Sequence, residues 1–271
     1  LVGSLSRASK GPDQPATHFD RCYMYEHSMA TFALAEACAV AKAERRKPDP
    51  AFWRAAVKAV KFIESQQHND GGWRYDGNKQ QLSDASVSGW AMLALKTAIE
   101  AEIEVDPMTI SRLLEFFDSE QEPLTGRTHY QLVRFGTDAL TGVGMMVDEF
   151  VRHDPGSQRI QRAAPYLADQ AEANWGPKAG SPSPDYYLWY NCTLAMFQAG
   201  GEPWKRWNDA TRERVIGLQE HGDGCTRGSW PPIDRWSGDG GRIYATALAV
   251  LTLEVYYRFA KEAVISERPA K

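Results

Sequence analysis

A unit made of one charge-bearing helix, a glycine and aromatic turn, and one charge-poor helix recurs along the chain with a period of about fifty residues, which leaves few folds open. From Phe52 to Gln67 the apolar residues Phe52, Ala56, Val60 and Ile63 recur at helical spacing, with Arg54, Lys58, Lys61 and Glu64 between them. That pattern predicts an outer helix with one wet face. The turn Gln67–Trp73 (QHNDGGW) and a polar loop follow, and then Val87–Leu95 carries no charge at all. A helix without a charged face is expected to be buried on more than one side.

The ends of the outer helices read QHNDGGW, QEPLTGRTHY, QAEANW and QEHGDGCTRGSW, with aromatic anchors at Trp73, Tyr130, Trp175 and Trp230, spaced by 57, 45 and 55 residues. Each anchor leads into a charge-poor helix, predicted over Asp84–Ala98, Phe135–Val147, Tyr186–Gln198 and Arg242–Tyr257, and a fifth, Tyr25–Ala41, opens the series. Glycine in the turn permits a left-handed backbone, and the aromatic ring plugs the gap between hairpins. Asp-Pro pairs at Asp49-Pro50, Asp106-Pro107 and Asp154-Pro155 predict three outer-helix starts, with aspartate as N-cap and proline in the first turn, and Pro203 opens a fourth. The expectation is an all-α chain: 1–22 as a loop or arm, 23–260 as one domain without a Ser/Gly linker, and 261–271 as a polar tail.

Hydrophobic residues make up 43% of the 271, with nine Trp and eleven Tyr, enough for a large core. A net charge of -4 argues against a nucleic-acid partner, which requires a basic face. No apolar run is long enough to cross a bilayer and the first residues resemble no signal peptide, so a soluble protein is expected, with the cytoplasm favoured. Neither GxGxxG nor GxxxxGK[ST] is present, which removes the common nucleotide folds. Cys22, Cys38, Cys192 and Cys225 are scattered, and free thiols are the default.

With DGGW followed by SDASVSGWAMLAL, and GSWP followed by GGRIYATALAVLTLEVYYR, the sequence resembles the prenyltransferase and squalene-cyclase repeat superfamily over about Tyr23 to Tyr257. It is most similar to small bacterial members whose activity is unassigned. The resemblance implies an α/α toroid, with about five inner helices wrapped by outer ones, QW-like turns, and a central hydrophobic cavity. It also implies terpenoid-cyclase or prenyltransferase-like chemistry on an isoprenoid. The cyclase acid motif DxDDTA maps its first aspartate onto Asp84, but its middle one falls on Ser86 and its third on Val87. A hydroxyl does not replace that carboxylic acid. The transferase zinc pair has a counterpart in Asp223-Gly224-Cys225, on the wrong side of the turn, and the segment that resembles the histidine-bearing one reads Tyr244-Ala245-Thr246-Ala247. Three protein ligands are needed for a catalytic zinc, so no metal and no other cofactor is expected.

In such a toroid the inner helices begin around one mouth of the cavity, which nominates the polar residues at those starts. Asp84, Asp138 and His27 are the acid/base candidates; Tyr25, Ser86, Trp90, Tyr187, Tyr190, Asn191, Arg242 and Tyr244 are the ligand-binding candidates. Each has a plainer reading: helix capping for the two aspartates, a core histidine for His27, packing for the tyrosines, a loop cap for Arg242. Three functions compete. The first is an isoprenoid-binding toroid with cyclase or transferase-like chemistry. The second is a non-catalytic binding or scaffold module whose ring is completed by a protein partner or a missing segment. The third is a carbohydrate-active toroid enzyme using Asp84 and Asp138.

Overall fold

The computed structural model describes residues 23–131, 136–176 and 183–258, and among them every regular element is a helix. The arm expected at 1–22, the tail at 261–271, Cys22 and Phe135 lie outside the described residues. Among the described residues nine helices follow in chain order: α1 (Tyr23–Ala43), α2 (Pro50–Gln66), α3 (Ala85–Glu100), α4 (Pro107–Ser119), α5 (Asp138–Phe150), α6 (Gln158–Trp175), α7 (Tyr186–Ala199), α8 (Gly201–Gly217) and α9 (Ser237–Arg258). The chain divides into two compact units. The first comprises the residues up to Gln121 together with Thr128–Gly136, and the second Glu122–Arg127 together with those from Thr137 onward.

In the first unit α1 packs along α3 and against α2, while α2 and α4 touch α3 more lightly. In the second, α7 lies against both α5 and α9, and α6 lies against α8. The pairing follows the polarity of the helices. Residues 85–95 of α3, 139–150 of α5 and 186–196 of α7 are buried without interruption, whereas α2 buries only Ala55, Ala56, Ala59, Val60 and Ile63. Two helices depart from this expectation. α1 buries one face, and α9 leaves Ile243, Val250 and Tyr257 exposed although 243–257 carries a single charge, Glu254. Each has charge-poor company on one side within its unit, α3 for α1 and α7 for α9, so the opposite side stays bare.

The turns explain themselves in hydrogen bonds. Trp73 is fully buried; its indole Nε1 donates to the Ile63 carbonyl in the last turn of α2 (2.8 Å), and its backbone N–H donates to Ser88 Oγ on α3 (2.9 Å). Trp230 repeats the device, donating from Nε1 to Val215 on α8 (2.6 Å) and from its N–H to Thr246 Oγ1 on α9 (3.1 Å). Gly71 has φ +92°, and a Cβ there would come within 2.1 Å of the Arg112 carbonyl oxygen, so the DGGW turn requires glycine for both conformation and space. Gly142 serves closeness alone: a Cβ would stand 2.9 Å from Cys192 Sγ and 3.0 Å from the Cys192 backbone, where α5 and α7 approach.

Helix starts follow the local chemistry with some shifts. Asp49 accepts from Ala51 N (2.7 Å) and Asp106 from Met108 N (2.9 Å), each ahead of its proline. The third pair behaves differently. Asp154-Pro155 precedes the helix, and α6 begins at Gln158 with Ser157 as its cap, Oγ accepting from Ile160 N (3.2 Å). Asp154 Oδ1 instead accepts from Gly156 N (3.2 Å), closing a small turn that delays the helix. α8 begins at Gly201, two residues before Pro203, and α5 begins at Asp138 rather than Phe135. α9 begins at Ser237 and kinks at Gly241 (φ 62°), so Arg242 opens its long regular part.

Candidate functional site

The first unit gathers its polar chemistry at the head of α3. Asp84 is the N-cap: Oδ1 accepts from Val87 N (2.8 Å) and the backbone carbonyl from Ser88 N (3.1 Å). Its own N–H donates to the Trp73 carbonyl (3.0 Å), and Ala85 N donates to that of Tyr130 (3.1 Å), so two aromatic anchors hold the cap in place. The carboxylate has no solvent exposure, and Oδ2 makes no hydrogen bond of ordinary geometry, although the Tyr130 hydroxyl is near enough to favour its charged form. Burial pushes the Asp84 carboxyl up to about 6; the Val87 amide, Arg74 and the nearby Tyr130 hydroxyl oppose the rise without cancelling it.

The half-buried Tyr130 lies near this carboxylate and is linked to two further half-buried tyrosines. Tyr75 and Tyr130 share a hydrogen bond between their hydroxyls (2.8 Å), Tyr25 and Tyr75 have ring centroids 5.6 Å apart at 31°, and the Tyr25 hydroxyl is hydrogen-bonded to Ser86 Oγ. Burial and the Asp84 charge raise the Tyr130 phenol, so it stays a neutral donor. Of the residues nominated from sequence, Asp84, Tyr25 and Ser86 come together here. Tyr75 and Tyr130 were missed as site residues: Tyr130 was read as an anchor, and Tyr75 is set only by the turn that follows Trp73.

His27 and Trp90 lie elsewhere in the same unit. Tyr25 and His27 are two residues apart on one helix, so they point to different sides. The His27 imidazole donates from Nε2 to the Ala59 carbonyl on α2 (3.0 Å) and packs on Phe62 (4.5 Å between centroids), and burial lowers its pKa. That is the environment of a neutral core histidine. Trp90 is buried on α3 with its ring 6.5 Å from that of Phe32 on α1. A surface depression of about 520 Å³, lined by Ile99, Ile103, Val105, Pro107 and Ile110 among others, lies at the opposite end of α3 from Asp84 and holds none of these groups.

In the second unit two aspartates at helix starts, Asp138 and Asp185, each sit among polar partners. Asp138 is the first residue of α5, whose cap is Thr137; it therefore does not cap its own helix. Its Oδ1 accepts from the Tyr166 hydroxyl (2.8 Å) and faces Arg127 (3.8 Å), which also lies over the Tyr166 ring (5.1 Å). Asp185, before α7, repeats the role of Asp84: Oδ1 accepts from Leu188 N (2.9 Å), and burial raises its carboxyl pKa. Its Oδ2, however, is paired with Arg235 (3.0 Å). Asp234 accepts from Tyr186 N (3.1 Å), Ser237 Oγ and the Tyr244 hydroxyl (3.4 Å), which saturates it.

The remaining nominated residues are placed around these. Tyr187 is edge-on to Trp236 (6.5 Å), Tyr190 is buried with its phenol raised by desolvation, and Asn191 Nδ2 bonds back to the Tyr187 carbonyl (2.8 Å). Arg242 is committed to Glu220 (2.8 Å) and Ser229 Oγ (3.0 Å), which makes it a tie between the loop after α8 and the long part of α9. Asp185 could have been found by the signal that exposed Asp84, an aspartate directly before a charge-poor helix; Asp234 has no comparable sequence signal. Asp223 and Cys225 are exposed in the loop after α8, and among the described residues no three His, Cys, Asp or Glu side chains gather as metal ligands would. No family model matches the chain, and no curated protein matches it.

Proposed function

We propose that this protein is an α/α toroid of the terpenoid-cyclase and prenyltransferase-like kind, which binds an isoprenoid or similar apolar ligand and uses Asp84 to exchange a proton with it. One observation carries the reading: a fully buried carboxyl group with an oxygen that lacks an ordinary hydrogen bond lies near the Tyr130 hydroxyl, which is linked through Tyr75 to Tyr25. An orphaned carboxylate oxygen is costly to fold around, and its retention suits a site that a ligand completes. Aromatic rings beside it suit an apolar chain and, through their π faces, developing positive charge. The toroid itself is supported within each unit by the packing of charge-poor helices on one another, α1 with α3 and α7 with both α5 and α9, and by the pairing of α6 with α8.

The test is native and denaturing mass spectrometry of the purified protein with an organic extract of the same sample. Retention of an isoprenoid or lipid near one per chain is the expected result, and turnover of that compound class should be lost in Asp84→Asn with the fold intact. Full turnover in that variant removes Asp84 from the mechanism.

A second reading is a non-catalytic scaffold module, favoured by the bare face of α9. Ile243, Val250 and Tyr257, 86%, 38% and 81% exposed, recur every seven residues and so share one side of the helix. Under this reading a second copy covers that face, and light scattering would show a dimer that Ile243→Glu dissolves. A monomer at all concentrations counts against it.

A further inference from the structure

We propose that the Asp84 site selects an apolar chain ending in a hydrogen-bond donor, an alcohol or an amine, and discriminates against the diphosphate of the same chain. The inference rests on the ligand reading above and specifies the head group.

The argument begins with what the head of α3 still offers. A helix N-terminus ordinarily attracts anions because its first N–H groups are unsatisfied. Here they are taken: Asp84 N by the Trp73 carbonyl, Ala85 N by the Tyr130 carbonyl, and Ser86 N and Val87 N by the Asp84 carboxylate. The cation whose charge acts on Asp84 is Arg74, and its Nη1 already donates to the Leu82 carbonyl (3.0 Å) while its guanidinium lies 5.7 Å from the Tyr75 ring centre. Among the described residues a diphosphate would therefore meet a carboxylate, spent helix amides and the committed guanidinium of Arg74.

The unmet demand has the opposite sign. Asp84 Oδ2 is a buried acceptor without a hydrogen bond of ordinary geometry; the Tyr130 hydroxyl acts on the carboxylate only from nearby. The Tyr130 hydroxyl beside it shares its hydrogen bond with Tyr75, and the Tyr25 hydroxyl is bonded to Ser86. All three tyrosines keep partial exposure while Asp84 has none, so the ring side is the approach they offer to a ligand. A head group bearing O–H or N–H supplies what Oδ2 lacks, and a site with an unpaired buried acceptor rejects an analogue without the donor.

The experiment measures binding of four probes with one fifteen-carbon skeleton, farnesol, farnesylamine, farnesyl diphosphate and the saturated hydrocarbon farnesane, by tyrosine and tryptophan fluorescence at pH 7.5. The expected result is that the alcohol and the amine bind at least about tenfold more tightly than the diphosphate or the hydrocarbon. Asp84→Asn retains an oxygen for Val87 N and turns the second acceptor into an amide donor, so it should lose that preference and gain for the acceptor head of farnesal. Equal or tighter binding of the diphosphate or the hydrocarbon overturns the head-group inference while the isoprenoid reading stands. Binding of none of the four sinks the isoprenoid reading itself. Because the wild-type ranking decides the question, a misfolded variant would not obscure it.

Discussion

The indole N–H of Trp73 donates to the Ile63 carbonyl at 2.8 Å, tying the turn to the end of the outer helix while the Trp73 backbone is tied to Ser88 on the inner one. The same pair of bonds recurs at Trp230, to Val215 and Thr246, so the anchor joins both helices of its hairpin in two places along the chain. Trp73→Ala should cost about 3–5 kcal/mol for the lost core volume. Trp73→Phe keeps much of the ring but leaves the Ile63 carbonyl unpaired, and Ser88→Ala strands the Trp73 N–H; each should cost about 1–3 kcal/mol. Urea unfolding followed by circular dichroism measures the order of the three.

Asp84 gives the first unit a pH dependence of known sign. Its carboxyl is pushed up to about 6 by burial from an ordinary value of 3.8, so between those values the folded protein holds a proton that the unfolded chain has lost. Stability is then highest below about pH 4 as far as this group is concerned, falls as pH rises toward 6, and is flat above; the full swing is about 3 kcal/mol. Asp84→Asn abolishes the swing and keeps the cap through its remaining oxygen. The variant should match wild type near pH 4 and exceed it near pH 8 in urea unfolding. A wild-type advantage at pH 8 would show that the carboxylate is better solvated than its burial implies.

Gly142 sets the separation of α5 and α7. A methyl group there meets both Sγ and the backbone of Cys192 at about 3 Å, so Gly142→Ala should destabilise by about 1–3 kcal/mol. Adding Cys192→Ala removes the thiol but not the backbone, and the double variant should recover only part of the loss. Complete recovery in thermal melts would place the whole conflict on sulfur.

Arg159, 1% exposed on α6, donates from Nη1 to the Gly144 carbonyl (2.8 Å) and faces Asp148 (3.8 Å), which also accepts from Ser157 Oγ (2.6 Å). Arg159→Met leaves Asp148 buried with, among the described residues, the partly exposed Arg152 (3.7 Å) as its remaining cation, and should cost about 3–5 kcal/mol. Replacing both, Arg159→Met with Asp148→Asn, should cost distinctly less than the single change. Chemical unfolding of the two variants side by side reads the difference.

Much of the architecture was legible in the sequence because it is written in local rules. Charge-poor and charge-bearing segments became buried and half-exposed helices, Asp49-Pro50 and Asp106-Pro107 capped the helices they precede, and Gly71 carries the positive φ that its turn needs. Asp154-Pro155 shows the limit of such rules: Asp154 accepts from the N–H two residues on, as Asp49 and Asp106 do, but here that bond closes a separate turn and the cap passes to Ser157.

The candidate site was only partly legible. Asp84 follows from its place before a charge-poor helix, and Tyr25 and Ser86 from their places at helix starts. What no spacing conveys is that Tyr75 and Tyr130, 55 residues apart, would meet hydroxyl to hydroxyl beside that carboxylate, or that Arg242 would be spent on Glu220. Nor does it distinguish Asp84 from Asp185, two caps of the same kind, one with a bare oxygen and one paired with Arg235. By itself the sequence determined which segments are helical, which helices are wet on one face, and where most of them begin, since these depend on neighbours within a few residues. Only the tertiary structure decided which polar groups keep an unmet hydrogen bond, because that depends on partners brought in from distant segments and on the water they displace.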